Sequence, residues 1–289
     1  MTTNLDEQDI VINNEYDFSE LKTENMHYDT TILKNDLTVW GHILRYVNFS
    51  TDTGNFTLTS KDIKNSRNMW SGEFDSQFEP RLLCKQDSNE SRPSIFKQLN
   101  INILSISNGI YILTTDEIYK ELPYEIDASI CYIKKHTGSL VLQIGDSESL
   151  LLDNLRYSGV FERPELLNEQ IKYGPIFSGR HRCHCQTYIG DTLINIKGTQ
   201  FETDGCYESE NKIIIIEAKI KYTKKNFNIR QLYYPFRTIY DHNKGQKEIE
   251  CLYINYDKNK IIHVFKFKWE NHLKFNNLRA VGYYKYKFI

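Results

Sequence analysis

Four consecutive isoleucines, Ile213–Ile216, run straight into Glu217-Ala218-Lys219. An unbroken apolar run that short, rich in β-branched residues, is the signature of a strand buried on both faces. Such a strand needs cover above and below, which means an α/β layer arrangement with helices on a sheet. A buried strand should not end in charge, yet this one does. Side chains alternate along a strand, so Glu217 and Lys219 share a face.

Upstream, Gln200, Glu202 and Asp204 fall on one face of another extended segment, and Gly205 then allows the chain to bend. Asp204 and Glu217 sit on consecutive strands joined by a turn, close enough in register to meet across the pair. Two converging carboxylates beside a lysine suit phosphodiester hydrolysis. Their hard oxygens select Mg²⁺, with the Ala218 carbonyl as a third protein ligand. Lys219, beside a cation and partly desolvated, is expected to have a lowered pKa and to orient the attacking water or stabilise developing charge. A bare Glu-x-Lys triplet is more often a surface ion pair; Asp204 and the isoleucine run bring the two readings level.

The surrounding chain reads as two parts. Residues 1–27 are a polar leader without periodicity. Residues 28–125 read as a smaller α+β domain. Leu37–Val47 has helical spacing, Thr59-Ser60 caps a short segment, and Phe78–Lys85 and Pro93–Leu99 read as short helices. Two β-rich runs then flank Ser107-Asn108-Gly109, a strong hairpin signal. Helices followed by a hairpin form the pattern of a winged helix, in which one helix enters the major groove and the hairpin touches backbone. Arg81, Lys85, Arg92 and Lys97 would be its basic footprint.

In residues 126–289, strands are expected at Ser129–Lys135 and Leu140–Ile144. A helix follows over Asp146–Tyr157, capped by Asp146 or Ser147. Strands then run over Arg182–Ile189, Leu193–Asp204 and Lys212–Lys219. Asn228–Tyr240 reads as a helix that Pro235 kinks or breaks, since proline costs about 3 kcal/mol in a helix interior. Strands Glu250–Asn255 and Ile261–Trp269 close the order. Arg180 and Arg182 open the first strand of this half and suit phosphate contacts.

Asp, a turn, a hydrophobic strand and Glu-x-Lys resemble the PD-(D/E)XK nuclease superfamily. The likeness is closer to type II restriction endonucleases with an N-terminal winged-helix-like domain. It is carried by Glu79–Lys85 with Arg92–Phe96, Ile103–Ile112, Ser147–Gly159, Gln200–Glu208, Glu217–Lys219 and Asn228–Arg237. The proline of the "PD" pair is replaced by Thr203. The resemblance implies an α/β fold: a restriction-endonuclease-like core of mixed sheet flanked by helices, behind a smaller winged-helix-like domain. It implies that Asp204 and Glu217 bind Mg²⁺ and that Lys219 is catalytic. Glu148 or Glu202 would complete the metal shell, with Glu165 and Glu169 as weaker candidates. Gln231 would contact the site or the DNA backbone, and Arg230 beside it would touch DNA. The partners implied are double-stranded DNA, a protecting DNA methyltransferase and a second copy of the chain. Products would carry 5′-phosphate and 3′-hydroxyl ends. A structure-directed repair nuclease and a winged-helix DNA-binding protein with an inactive core stay open as alternatives.

Composition narrows the setting. A net charge of −2 argues against charge-driven coating of nucleic acid, though a local basic strip is compatible with it. Six scattered cysteines do not form a disulfide framework. The acidic start has no apolar signal core, and no apolar run approaches the roughly 20 residues of a membrane helix. A cytoplasmic protein is expected.

Overall fold

The computed structural model describes residues 36–50, 54–70, 78–144, 147–220 and 224–289. The expected polar leader and Asp146 lie outside them.

Among these residues the chain begins with helix α1 (Val39–Tyr46), N-capped by Thr38, and its Trp40, Ile43 and Leu44 are buried. Strand β1 (Asn55–Thr59) leads into α2 (Ser60–Ser66). Thr59 and Asp62 close a reciprocal capping box there, satisfying two end donors of a short helix. Two brief helices follow, α3 (Pro80–Leu83) and α4 (Ser94–Gln98). The hairpin forms as expected, with β2 (Asn102–Ser107) and β3 (Ile110–Thr114). Gly109 at its tip has φ +72°, and its carbonyl accepts from Ser60 N at 2.7 Å. β1 pairs antiparallel with β3.

The hairpin does not stand free. β7 (Thr192–Thr203) adds to the open edge of β2, and β6 (Gly179–Ile189) pairs with β7, giving the order β1-β3-β2-β7-β6. One face of the hairpin, with Ile103, Tyr111 and Leu113, packs on the N-terminal helices. The other, with Leu104 and Ile112, joins the core of the C-terminal half. The sheet therefore crosses the boundary expected near residue 125. A small ladder reinforces this, formed by β4 (Tyr119–Glu121) and β10 (Asn226–Asn228).

The second large sheet has the order β5-β13-β12-β11-β9-β8. Its strands are β5 (Ile130–Ile133), β8 (Gly205–Glu208), β9 (Lys212–Ile220), β11 (Glu248–Tyr256), β12 (Ile262–Trp269) and β13 (Leu278–Phe288). β9 and β11 are parallel, and β8 is antiparallel to β9. Helix α5 (Glu148–Tyr157) covers one face and α6 (Arg230–Asn243) the other. β9 is buried on both sides as the isoleucine run requires. Ile214 and Ile216 meet Leu151, Leu152 and Leu155 of α5. Ile213 and Ile215 meet Leu232, Tyr233 and Phe236 of α6. Each buried isoleucine contributes about 1.5–3 kcal/mol.

Several local expectations are corrected. Leu140–Ile144 is a short 3₁₀ turn over Val141–Gln143, not a strand. β13 was not expected. Residues 226–228 form β10, so α6 starts at Arg230 and continues to Asn243. Pro235 neither breaks nor ends α6. The helix loses one backbone donor there, but burial of Leu232, Tyr233, Tyr234 and Phe236 around it offsets the cost. Among the described residues no helix is long and apolar enough to cross a membrane, and all six cysteines are free.

Candidate active site

The charged end of β9 is where the two halves of the sequence argument meet. Asp204 interrupts β7 and β8, and Gly205 lets α5 come close: a Cβ there would stand 3.0 Å from Leu152 Cδ1. Asp204 Oδ2 accepts a hydrogen bond from Ala218 N at 2.8 Å, which locks it across the strand pair. Lys219 Nζ lies 2.6 Å from Glu217 Oε1, 3.6 Å from Asp204 Oδ2 and 3.6 Å from Glu148 Oε1. It also donates to the Ala218 carbonyl at 2.8 Å. Glu148 reaches the cluster from the first turn of α5, where Ser147 caps the helix by accepting from Leu150 N. Gln231, one residue into α6, donates through Nε2 to the same Glu217 Oε1.

The charge balance is uneven. Glu217 is only 6% exposed. Burial pushes its carboxyl up to about 8; Lys219 opposes this, and the charges of Asp204 and Asp87 add to the rise. Burial likewise holds Glu148 above the usual carboxylate range, against the pull of Lys219. For Lys219, burial lowers the pKa, but Glu217, Asp204 and Glu148 outweigh it and hold the ammonium well above its ordinary value. The expected depression belongs to a lysine that faces another cation. A cation in the midst of three carboxylates is stabilised by them, and the lowering argument holds only where another cation competes.

The donor set suits a hard divalent cation. Three carboxylates and the Ala218 carbonyl offer oxygen alone, and Gln231 Oε1 is buried without a protein partner. Lys219 is the stand-in cation at their centre. Among the described residues no three acidic, histidine or cysteine side chains stand close enough to hold a metal in this arrangement.

Other predicted residues lie elsewhere. The structure does not bring Glu202 to the cluster: its exposed carboxylate pairs with Arg180 Nε at 3.0 Å on the β6–β7 hairpin. Strand parity put it beside Asp204, but the break at Asp204 turns the two apart. Arg182 bonds the Gly198 carbonyl at 2.9 Å. Glu165 is engaged by Arg163 and Tyr286, and Glu169 by Ser209 and Asn211. The Arg92 guanidinium is engaged internally: it bonds Asn89 Oδ1 and the carbonyls of Phe96 and Ile101, stapling α4. Arg81 and Lys97 are exposed, and Lys97 bonds the Glu90 carbonyl. Lys85 is exposed and near enough to Glu148 for its charge to act on it. Arg230 is held by Asp87 at 2.9 Å.

A family model described as a domain of unknown function (DUF6997) matches residues 114–287. The chain belongs to this family. A second model, also described as a domain of unknown function (DUF6996), matches residues 38–113. Comparison with curated proteins and with solved structures gives no match. Glu148, Asp204, Glu217, Lys219 and Gln231 all fall inside the DUF6997 stretch. Asp87 falls inside the DUF6996 stretch, so the surroundings of the cluster draw on both. Sequence reading missed Asp87 because its partner is 143 residues away and an isolated Asp after a short helix carries no signal.

Proposed function

We propose that the chain is a Mg²⁺-dependent endonuclease of the type II restriction kind, acting on double-stranded DNA in the cytoplasm as a homodimer, with a methyltransferase protecting host sites. The carrying observation is the convergence of Asp204, Glu217 and Glu148 on Lys219 Nζ at the end of the central strand. The run α5, antiparallel strands, α6 and parallel β11 supports a PD-(D/E)XK core. The run α1, β1, three further helices and the β2–β3 hairpin, with β1 beside β3, supports a winged-helix-like N-terminal half.

Asp204, Glu217, Glu148 and the Ala218 carbonyl are the oxygens that would hold the ion. Mg²⁺, when bound, polarises the scissile phosphoryl group and lowers the pKa of an attacking water. Lys219, displaced from the carboxylates, turns its charge toward the phosphate and stabilises the negative charge that develops there. The Ala218 amide holds Asp204, and Gln231 holds Glu217. Arg180 and Lys85, both exposed, are the basic groups offered to the DNA backbone.

One observation favours a second reading, a DNA-binding protein with an inactive core: the lysine already neutralises the carboxylates. Digesting plasmid DNA of known sequence with Mg²⁺ and mapping the ends separates the two. Discrete fragments with the same cut position at each occurrence support restriction. Binding without cutting selects the inactive core, and cutting confined to branched or damaged DNA selects a repair enzyme.

A further inference from the structure

The loop after α3 is built into the start of α6. Asp87 Oδ1 lies 2.9 Å from Arg230 Nη2, and the Asp87 carbonyl accepts from Asn228 N at 2.9 Å. Asn228 is fully buried; its Nδ2 donates to the Gln86 carbonyl at 3.0 Å, and its Oδ1 accepts from Arg230 N at 3.1 Å. One turn of chain further on, Asn89 N donates to Asn226 Oδ1 at 2.7 Å. Helix α6 has no side-chain cap on its N-cap residue Ile229. The Arg230 N–H is met instead by Asn228 Oδ1, and the Ile229 N–H by the Ile118 carbonyl, so the loop acts on the helix end by holding Asn228 and the Arg230 side chain. Gln231 is the next residue, and it holds Glu217.

We infer that Asp87, supplied by the N-terminal half, is a positioning residue for the active site: through Arg230 and Asn228 it sets the start of α6 and hence the hold of Gln231 on Glu217. This rests on the nuclease reading. The path runs from Asp87 by ion pair to Arg230, along the chain to Gln231, and by hydrogen bond to Glu217 on the central strand. A partner that orients a ligand is worth about 10–100-fold in metal affinity or activity. The same path links the expected DNA-reading half to the carboxylates. Arg230 is thereby a strut and not a phosphate contact.

The test uses the full chain as wild type, Asp87→Asn, Arg230→Met and the exchanged pair Asp87→Arg with Arg230→Asp. Two readouts are taken: Mg²⁺-dependent plasmid cleavage, split into kcat and KM, and hydrogen exchange of peptides covering residues 228–233. Asp87→Asn is expected to lower kcat about 10–100-fold with KM within about twofold, and to speed exchange at 228–233 alone. The exchanged pair should recover most of both. The inference is overturned if Asp87→Asn keeps wild-type kcat and exchange, if the exchanged pair stays as impaired as Asp87→Asn, or if Arg230→Met raises KM and flattens the salt dependence while Asp87→Asn changes nothing. If the wild type does not cut, the nuclease reading fails by itself. The exchange data then still decide whether Asp87 sets the start of α6.

Discussion

Replacing Glu217 by glutamine should stabilise the protein when metal is withheld, by an amount that grows with pH. Glu217 is buried, and in the folded chain its carboxyl is raised to about 8 from the ordinary 4.5. The sign follows from that direction. A carboxyl whose folded pKa lies above its unfolded value favours folding fully only below the unfolded value; stability then falls as pH rises towards the folded value. At about 1.4 kcal/mol per pH unit, the loss is on the order of 4–5 kcal/mol once Glu217 is ionised in both states. Lys219 adds no slope in this window, because it is charged in both states until well above it. Glutamine keeps the shape and an acceptor for Gln231 or Lys219, and it removes the titration. Urea unfolding in a chelator should therefore show Glu217→Gln ahead of wild type by about 1 kcal/mol at about pH 5.5 and by about 4 kcal/mol at about pH 7.5. Excess Mg²⁺ should narrow or invert the gap, because only the wild type offers the full set of carboxylates. A gap that does not change with pH, or a less stable glutamine variant in the chelator at pH 7.5, would refute the reasoning.

Three further outcomes follow from the contacts of single side chains. Arg92→Ala should cost about 2–4 kcal/mol in urea unfolding, because two carbonyls lose a charged donor, while the salt slope of DNA binding stays unchanged. Arg237→Ala should cost a similar amount, about 2–4 kcal/mol, by stripping the Gln186 and His272 carbonyls of their shared guanidinium. Glu202→Gln should leave cleavage within about threefold of wild type, since only an exposed ion pair with Arg180 is lost; a far larger loss would return Glu202 to the metal shell.

Periodicity carried the parts of the fold that depend on neighbours in sequence. The isoleucine run, the capping signals at Thr59 and Ser147, and the hairpin at Asn108-Gly109 are local patterns, and each formed where its pattern lay. The β2–β7 pairing and the docking of residues 86–90 on β10 are contacts between segments about 90 to 140 residues apart. Nothing in either partner marks them. Within the site, alternation along β9 correctly put Glu217 and Lys219 together, and the same rule misplaced Glu202, because it assumes an unbroken strand through Asp204. Charged residues were the hardest to read. Arg92 reads from sequence as part of a basic footprint, yet it and Arg237 are donors to internal carbonyls. A guanidinium has five N–H groups and can satisfy several carbonyls at once, which composition does not reveal. The sign of the lysine pKa likewise depends on whether the carboxylates face the ammonium or another cation.

The central claim is that Asp204, Glu217 and Lys219 hydrolyse phosphodiesters with Mg²⁺, and one comparison tests it most directly. Wild type and Asp204→Ala are incubated side by side with supercoiled plasmid, with Mg²⁺ and with a chelator, and DNA binding is followed on the same samples. The account predicts cutting by wild type only with Mg²⁺, and a loss of about 10²-fold or more in Asp204→Ala with binding retained. Equal cutting by both proteins, or none by wild type with Mg²⁺ while it binds the same DNA, would contradict it.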